Sequence, residues 1–382
     1  MAEIGRAAIF TGIRKPFELR EFPVPDPSDG GLVVEIALTN ICGSDLHIWR
    51  GDLDLASMGL TYAMILGHEM VGRVARIGKD ADDDALGRPL KEGDRVVYTY
   101  YVPCGKCRAC LRGADHACMM SLSSPIRSAE DPPHFLGGFA THYAVSRKQR
   151  VFKVPDSLSD TEVAGSNCAL AQVIFGFGKA GVELGDTVVV QGAGGLGLYA
   201  CAVAKELGAG KVIAIDAVPA RLELARQFGA DLVLDVSKTE ARDRISAVRS
   251  ATNGWGADVV VEVAGFPEVV PEGMKMLGRC GRYLEIGNIS SKRTYVADPS
   301  ILVANNLTVF GVSLYEPMAL FRAVEFLERT RARYPFAKIF SHTFPLEKID
   351  QAFFEADAFA KDKTSVTRAA VAPGQRLSSH PG

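Results

Sequence analysis

The chain reads as an α/β protein in two parts: an antiparallel β-rich domain over residues 1–169, then a doubly wound parallel sheet over residues 170–313. Three observations predict this. Short β-type runs alternate with Pro- and Gly-rich turns through the first hundred residues. Beyond about residue 170, β-branched runs alternate with helix-length amphipathic segments, the pattern of βαβ units. The first of those later runs passes directly into a G-x-G-x-x-G turn.

Taken in order, Ala7–Phe10 and Leu32–Ala37 are strand-like and are separated by the turn-rich stretch Phe22–Gly31. Val71–Ile77 and Asp94–Tyr98 continue the pattern on either side of the polar run Lys79–Lys91, whose Asp82, Asp83 and Asp84 read as a solvated loop. Gly137–Val145 is a returning strand, and Ser159 or Asp160 caps a helical stretch after Val154. The parallel sheet is expected from Thr187–Gln191, Lys211–Asp216, Leu232–Val236, Asp258–Glu262, Arg282–Ile286 and Thr308–Val312, each separated by room for a crossover.

Composition narrows the function. At 47% hydrophobic and 23% charged, 382 residues bury an ample core, which excludes disordered and fibrous classes. A net charge of −2 with scattered Lys and Arg leaves no basic surface to track phosphates, so nucleic acid is not an expected partner. No stretch nears the length of a membrane span, and residues 1–7 hold no apolar leader, so the reading is cytoplasmic.

Two groupings point to metal. Cys42 and the run Gly67-His68-Glu69 supply a thiolate, an imidazole and a carboxylate, the ligand types that zinc accepts. Four protein ligands close a structural site, whereas a free coordination position can polarise a substrate oxygen. Cys104, Cys107, Cys110 and Cys118 fall inside fifteen residues, and four thiolates from one short lobe can close a tetrahedral zinc shell and fold the lobe around it. An iron–sulfur cluster is the alternative for such spacing, but no proline follows the last cysteine. His116 reads as a surface residue of the lobe, Cys201 and Cys280 as small packing residues, and His134 and His142 as local hydrogen-bonding groups outside the catalytic set.

The turn Gly192-Ala193-Gly194-Gly195-Leu196-Gly197 sits between a strand and a helix, where glycines allow the pyrophosphate of a dinucleotide to approach backbone N–H groups at the helix N-terminus. Asp216 ends the next strand nineteen residues after Gly197. A carboxylate there accepts from the adenosine ribose hydroxyls and repels a 2′-phosphate, which favours NAD over NADP.

On these motifs the chain resembles the zinc-containing medium-chain alcohol dehydrogenases, from about residue 5 to about residue 370. Gly67-His68-Glu69 with Gly72, Gly78 and Ala81 is similar to that family's zinc signature, Cys104/107/110/118 to its structural-zinc lobe, and Gly192–Gly197 to its coenzyme turn. The resemblance implies a GroES-like catalytic domain split in sequence, to which residues 314–382 return, with a Rossmann domain inserted and the chemistry in the cleft between them. It implies two zinc ions per chain. Cys42, His68 and Cys168 would hold the catalytic one, with Glu69 an alternate or exchanging ligand and Asp45 an orienting partner. Cys168 matches the alcohol branch; some polyol and threonine dehydrogenases carry glutamate there.

The implied reaction is hydride transfer between a primary or secondary alcohol and NAD, with zinc polarising the oxygen. Ser44 would take the proton and pass it through the nicotinamide ribose to His47, which exchanges it with solvent. Arg221 would lie near the adenosine ribose, and Arg368, within Thr364–Arg368, near the pyrophosphate. Gln172 departs from the threonine that many relatives place near the nicotinamide. The pocket would be lined from Gly51–Ala63 and Leu122–Leu136, with Tyr62, Phe135 and Leu314 as contacts. Relatives pair through the strand matched here by Thr308–Val312, implying a homodimer or homotetramer, and the tail Pro373–Gly382 is expected to be disordered. Polyol or threonine dehydrogenation is the nearest alternative. A lyase or isomerase using bound NAD transiently is a further one, separated by net turnover of NAD.

Overall fold

The computed structural model describes residues 3–53, 55, 62–122, 127–290, 293–362 and 368–374. Most of the loop Gly51–Ala63, part of Leu122–Leu136, residues 364–367 and the tail from 375 lie outside the described residues.

The strands in chain order are β1 Ile4–Phe10, β2 Glu18–Pro23, β3 Leu32–Asn40, β4 Met64–Ile65, β5 Glu69–Ile77, β6 Arg95–Tyr98, β7 His142–Val145 and β8 Val151–Lys153. They continue as β9 Thr187–Gln191, β10 Lys211–Asp216, β11 Leu232–Asp235, β12 Ala257–Glu262, β13 Leu277–Glu285, β14 Thr308–Gly311, β15 His342–Pro345 and β16 Ala369–Ala372. They belong to two compact units. The first comprises Met1–Cys168, Glu316–Arg331 and Phe336–Gly382; the second comprises Ala169–Tyr315 and Ala332–Pro335.

The first unit holds a three-stranded sheet, β2-β1-β4, and a seven-stranded sheet ordered β15-β16-β3-β5-β6-β8 with β7 beside β3. Aromatic rings cluster within its core. Phe353, from the helix Ile349–Asp362, packs against Phe17, Phe139 and Trp49 at ring separations of 4.7, 5.4 and 6.0 Å. The C-terminal segment therefore completes a core begun more than three hundred residues earlier. The acidic run behaves differently from a solvated loop at one position: Asp84 is buried, accepting from the backbone N–H groups of Leu86, Arg88 and Lys153 at 2.9, 3.0 and 3.2 Å.

The second unit is the six-stranded sheet β11-β10-β9-β12-β13-β14, parallel throughout. Val188–Val190, Val212–Ile215 and Val259–Val261 are buried without alternation, as expected where helices cover both faces. Strand β13 begins five residues before the predicted Arg282, because Cys280 takes a left-handed φ of 61° and the pairing with β12 shifts register there. That bulge breaks the period the sequence reading relied on. Ala332–Pro335 joins this unit through Tyr334, whose ring stacks on Phe228 and whose hydroxyl donates to Glu206 at 2.9 Å. Among the described residues no helix is long and apolar enough to cross a membrane.

Phe353→Ala should lower the unfolding free energy by roughly 3–5 kcal/mol, the range for truncating a fully buried ring. Chemical denaturation monitored by Trp49 fluorescence measures it, and a loss under about 1 kcal/mol would mean the site collapses around the smaller side chain.

Candidate functional site

Four chain segments of the first unit converge on one buried point. Strand β3 delivers Cys42 to the N-terminus of the helix Gly43–Arg50. A turn at Gly67 brings in His68 and Glu69 ahead of β5; its φ is 90°, and a Cβ there would lie 2.9 Å from the Phe139 nitrogen, so only glycine fits. The π-helical turn Ser166–Leu170 presents Cys168. The fourth segment is the C-terminal return, which brings Arg368. The donor atoms of Cys42, His68, Glu69 and Cys168 all lie within 4.8 Å of one another.

Asp45 orders this cluster. Its Oδ2 accepts from the Cys42 N–H at 2.9 Å, and its Oδ1 accepts from the Gly67 N–H at 3.1 Å and lies 3.4 Å from His68 Nδ1. Holding Nδ1 turns Nε2 toward the cluster, the arrangement of a carboxylate–histidine–metal triad. Ser44 Oγ sits 3.3 Å from that Nε2. One helical turn on, His47 is partly exposed, with Nδ1 2.9 Å from Asp52 Oδ2.

Glu69 is fully buried, and Arg368 grips it with two hydrogen bonds of 2.6 Å, one to each oxygen. The resemblance implies a place for Arg368 near the pyrophosphate, and nothing local in the sequence signals its pairing with Glu69. Asn167 was also missed: it donates to the carbonyls of His68 and Tyr98 and accepts from Met70 N–H, each at 3.2 Å, and so fixes the strand that carries two donors. Tyr100 adds a third unforeseen contact, its ring 4.8 Å from His68 and its hydroxyl 3.9 Å from Cys168 Sγ. The only sequence signal for Asn167 is its place beside Cys168.

The electrostatics suit a cation. A hydrogen bond from Cys168, with the His68 ring adjacent, holds the Cys42 thiol well below its ordinary value. Donating that bond pushes Cys168 up, and burial adds to it. Burial opposes a charged His68, yet Asp45 and Cys42 together drive it upward. Burial raises Glu69 to about 7 against the pull of Arg368. With their protons displaced on metal binding, two thiolates and one imidazole make a shell that fits zinc, with the carboxylate alongside.

The lobe forms a second cluster, Cys104, Cys107, Cys110 and Cys118, again with all donors within 4.8 Å. Sulfur separations of 3.6 Å (Cys107 to Cys110) and 4.0 Å (Cys104 to Cys110) bracket the ~3.8 Å that tetrahedral Zn–S bonds require. The backbone N–H of Lys106 draws Cys104 down to about 6, while desolvation lifts Cys110 to about 12. His116 is outside the four-thiol cluster. His134 bonds the Ala129 carbonyl and His142 bonds Thr141, both at 2.9 Å, and neither joins a cluster.

In the second unit the glycine turn joins β9 to the helix Gly195–Glu206. Gly194 is its N-cap, and a Cβ on Gly197 would lie 1.8 Å from the Gly192 carbonyl oxygen, so this contact admits no side chain. Asp216 ends β10 and accepts from the N–H groups of Ala193 at 2.7 Å and Val218 at 2.9 Å, with Arg221 3.8 Å away. Gly195 is buried and Leu196 partly so. Gln172 donates to the Ser313 carbonyl.

Comparison with known proteins identifies relatives of the whole chain. The description "alcohol dehydrogenase GroES-like domain" matches residues 28–156, and "zinc-binding dehydrogenase" matches residues 195–329. The chain is 32% identical over 357 residues to 5-exo-hydroxycamphor dehydrogenase of Pseudomonas putida, covering 92% of this chain and 95% of that one. It is 29% identical over 310 residues to sorbitol dehydrogenase of Bacillus subtilis, covering 81% and 82%. The crystal structure of an alcohol dehydrogenase from Thermotoga maritima matches with a TM-score of 0.85 at 28% identity, covering 97% and 100%. The class is that of zinc-dependent dehydrogenases acting on CH–OH donors. Within it, the chain belongs to the zinc-containing medium-chain alcohol dehydrogenase family.

Elemental analysis of the purified protein should find two zinc ions per chain. Cys110→Ser should abolish one and lower thermal stability, since a closed shell supports the lobe's fold, whereas Cys42→Ser should remove activity and leave the melting temperature within a few degrees. A Cys110→Ser protein with unchanged zinc content would rule out the lobe as a metal site.

Proposed function

We propose that this protein oxidises a primary or secondary alcohol to the aldehyde or ketone with NAD as coenzyme. The observation that carries the reading is the Cys42–His68–Cys168 donor set, two buried thiols and a partly buried imidazole, with Asp45 on His68 Nδ1. The three side chains would hold one zinc ion, and Cys104, Cys107, Cys110 and Cys118 a second. When bound, zinc supplies polarisation of the alcohol oxygen and the nicotinamide supplies the hydride acceptor. Asp45 keeps the His68 ring in one orientation. Ser44 Oγ, beside His68 Nε2, would accept the alcohol proton as its own hydroxyl proton leaves toward the partly exposed His47, which would release it to solvent.

NAD is favoured by Asp216. Two backbone N–H groups fix its carboxylate at the end of β10, and a 2′-phosphate would meet that charge. Arg221 is the opposing influence, but at 3.8 Å it already faces Asp216, so the aspartate decides. Gly192, Gly194, Gly195, Leu196 and Gly197 would receive the pyrophosphate on backbone N–H groups at the helix N-terminus. Relatives named for hydroxycamphor and sorbitol support a CH–OH substrate, and steady NADH formation with alcohol would separate this reading from a lyase or isomerase.

Asp216→Ser should reduce the ratio of kcat/KM for NAD to that for NADP by roughly tenfold or more, the effect of losing a charged hydrogen-bond acceptor. Equal efficiency with both coenzymes in the unmutated enzyme would overturn the NAD assignment.

His47→Gln should leave zinc content and coenzyme affinity near parent values while slowing alcohol oxidation by about 10²-fold, most clearly below neutral pH, with partial rescue by imidazole buffer. Parent rates across the pH range would make His47 a bystander.

A further inference from the structure

The second unit contains an acidic pair that the chemistry above does not use. Glu262 closes β12 and is fully buried; Glu285 closes the neighbouring β13, and the two side chains are within hydrogen-bonding reach. Asn288 joins them, its Nδ2 donating to Glu262 Oε2 at 3.0 Å and to Glu285 Oε1 at 3.1 Å. Glu262 Oε1 also accepts from the N–H groups of Ala264 and Gly265, both at 2.7 Å. Three donors fill three of about four lone-pair positions on Glu262. Glu285 is the remaining hydrogen-bonding neighbour.

Among the described residues no Lys, Arg or His forms an ion pair with either carboxylate. The facing groups on other elements do not compensate. Gln191 of β9 is neutral and accepts from Tyr283 at 2.9 Å, the Tyr283 phenol is pushed up by burial and by the two carboxylates, and Glu272 is engaged by Arg244 at 2.7 Å. Two adjacent carboxylates without a cation cannot both ionise readily. Burial, then Glu285, raises Glu262 to about 9, so the pair keeps one proton at neutral pH.

The pair leads to the glycine turn. Gly192 has φ of 100°, and a Cβ on it would lie 2.8 Å from both Cα and N of Ala264. The turn therefore rests on the residue whose N–H Glu262 holds. Strands β9 and β12 adjoin where the strand order reverses, and ligands of such sheets bind outside the strand ends there.

We propose that Glu262, Glu285 and Asn288 form a positioning element of the coenzyme site, in which two carboxyl groups joined by one proton fix the Ala264 backbone under the glycine turn. This rests on the nicotinamide-coenzyme reading above. Below about 9 the shared proton stays and the loop is held; above it the carboxylates repel and the support loosens. Coenzyme affinity should thus be flat near neutrality and fall as pH rises through that value.

The test is the Kd for NADH, read by fluorescence from pH about 7 to about 10 on zinc-loaded parent, Glu262→Gln and Glu285→Gln, with melting temperatures alongside. A glutamine at 285 supplies a permanent N–H in place of the shared proton, so that variant should bind within about twofold of the parent at neutral pH and lose the alkaline decline. A glutamine at 262 has one oxygen for three N–H donors, and its Kd should rise about tenfold, as for one lost buried hydrogen bond. The proposal is overturned if Glu285→Gln keeps the parent's alkaline decline, or if folded Glu262→Gln binds as tightly as the parent. Should Glu262→Gln fail to fold, the pH profile of Glu285→Gln still decides. A parent that binds neither NADH nor NADPH would instead defeat the coenzyme reading, and this proposal with it.

Discussion

The donor cluster of the first unit depends on one buried carboxylate. Asp45 ties the Cys42 N–H, the Gly67 N–H and His68 Nδ1 into one arrangement, so a residue of the helix Gly43–Arg50 sets where two chain segments present their donor atoms. An isolated carboxylate could not be buried there, because transfer from water without partners is strongly unfavourable. Its three partners make burial tolerable and also remove freedom from the imidazole. Had Asp45 been exposed, His68 would sample rotamers and both ring nitrogens would compete for a cation. Helix N-terminus, glycine turn and imidazole donor are thus positioned by the same contact.

Glycine plays the matching part in both units. At Gly67 and Gly197 the neighbouring atom is backbone, 2.9 Å and 1.8 Å from a would-be Cβ, so no side-chain motion relieves the conflict. This is why the Gly197 turn could be recognised from sequence and why a glycine directly precedes His68 in the metal motif. A tight turn that admits no side chain leaves a glycine at a fixed offset from the functional residue it positions, and the offset is visible in one dimension. Sulfur donors are equally legible, since four cysteines within one lobe need no tertiary knowledge to be brought together.

Features that depend on distant partners were not legible. Arg368 reaches Glu69 across 299 positions and Asn167 reaches the His68 carbonyl across 99, and neither pairing leaves a local pattern. The parallel strands were readable because buried valine runs and crossover lengths are local, yet the start of β13 was displaced, since a bulge at Cys280 interrupts the period. Asp84 was misplaced for a similar reason: a triplet of acids looks solvated until Arg88 and Lys153 fold over its last member.

The Arg368 pairing bears on which residue completes the catalytic shell in the proposed function. Both Glu69 oxygens hold an Arg368 N–H, and Oε2 also lies 3.3 Å from Asn40 Nδ2. Drawing Glu69 onto a metal would loosen a bidentate buried pair, and breaking such a pair by removing a partner typically costs about 3–5 kcal/mol. The thiols of Cys42 and Cys168 and the Nε2 of His68 face no comparable competition. The arginine therefore favours a three-ligand shell with Glu69 in reserve, and a shell of three protein ligands is the kind that leaves a position for a substrate oxygen. On this argument the C-terminal return, by carrying Arg368 to Glu69, helps decide whether the site is structural or catalytic.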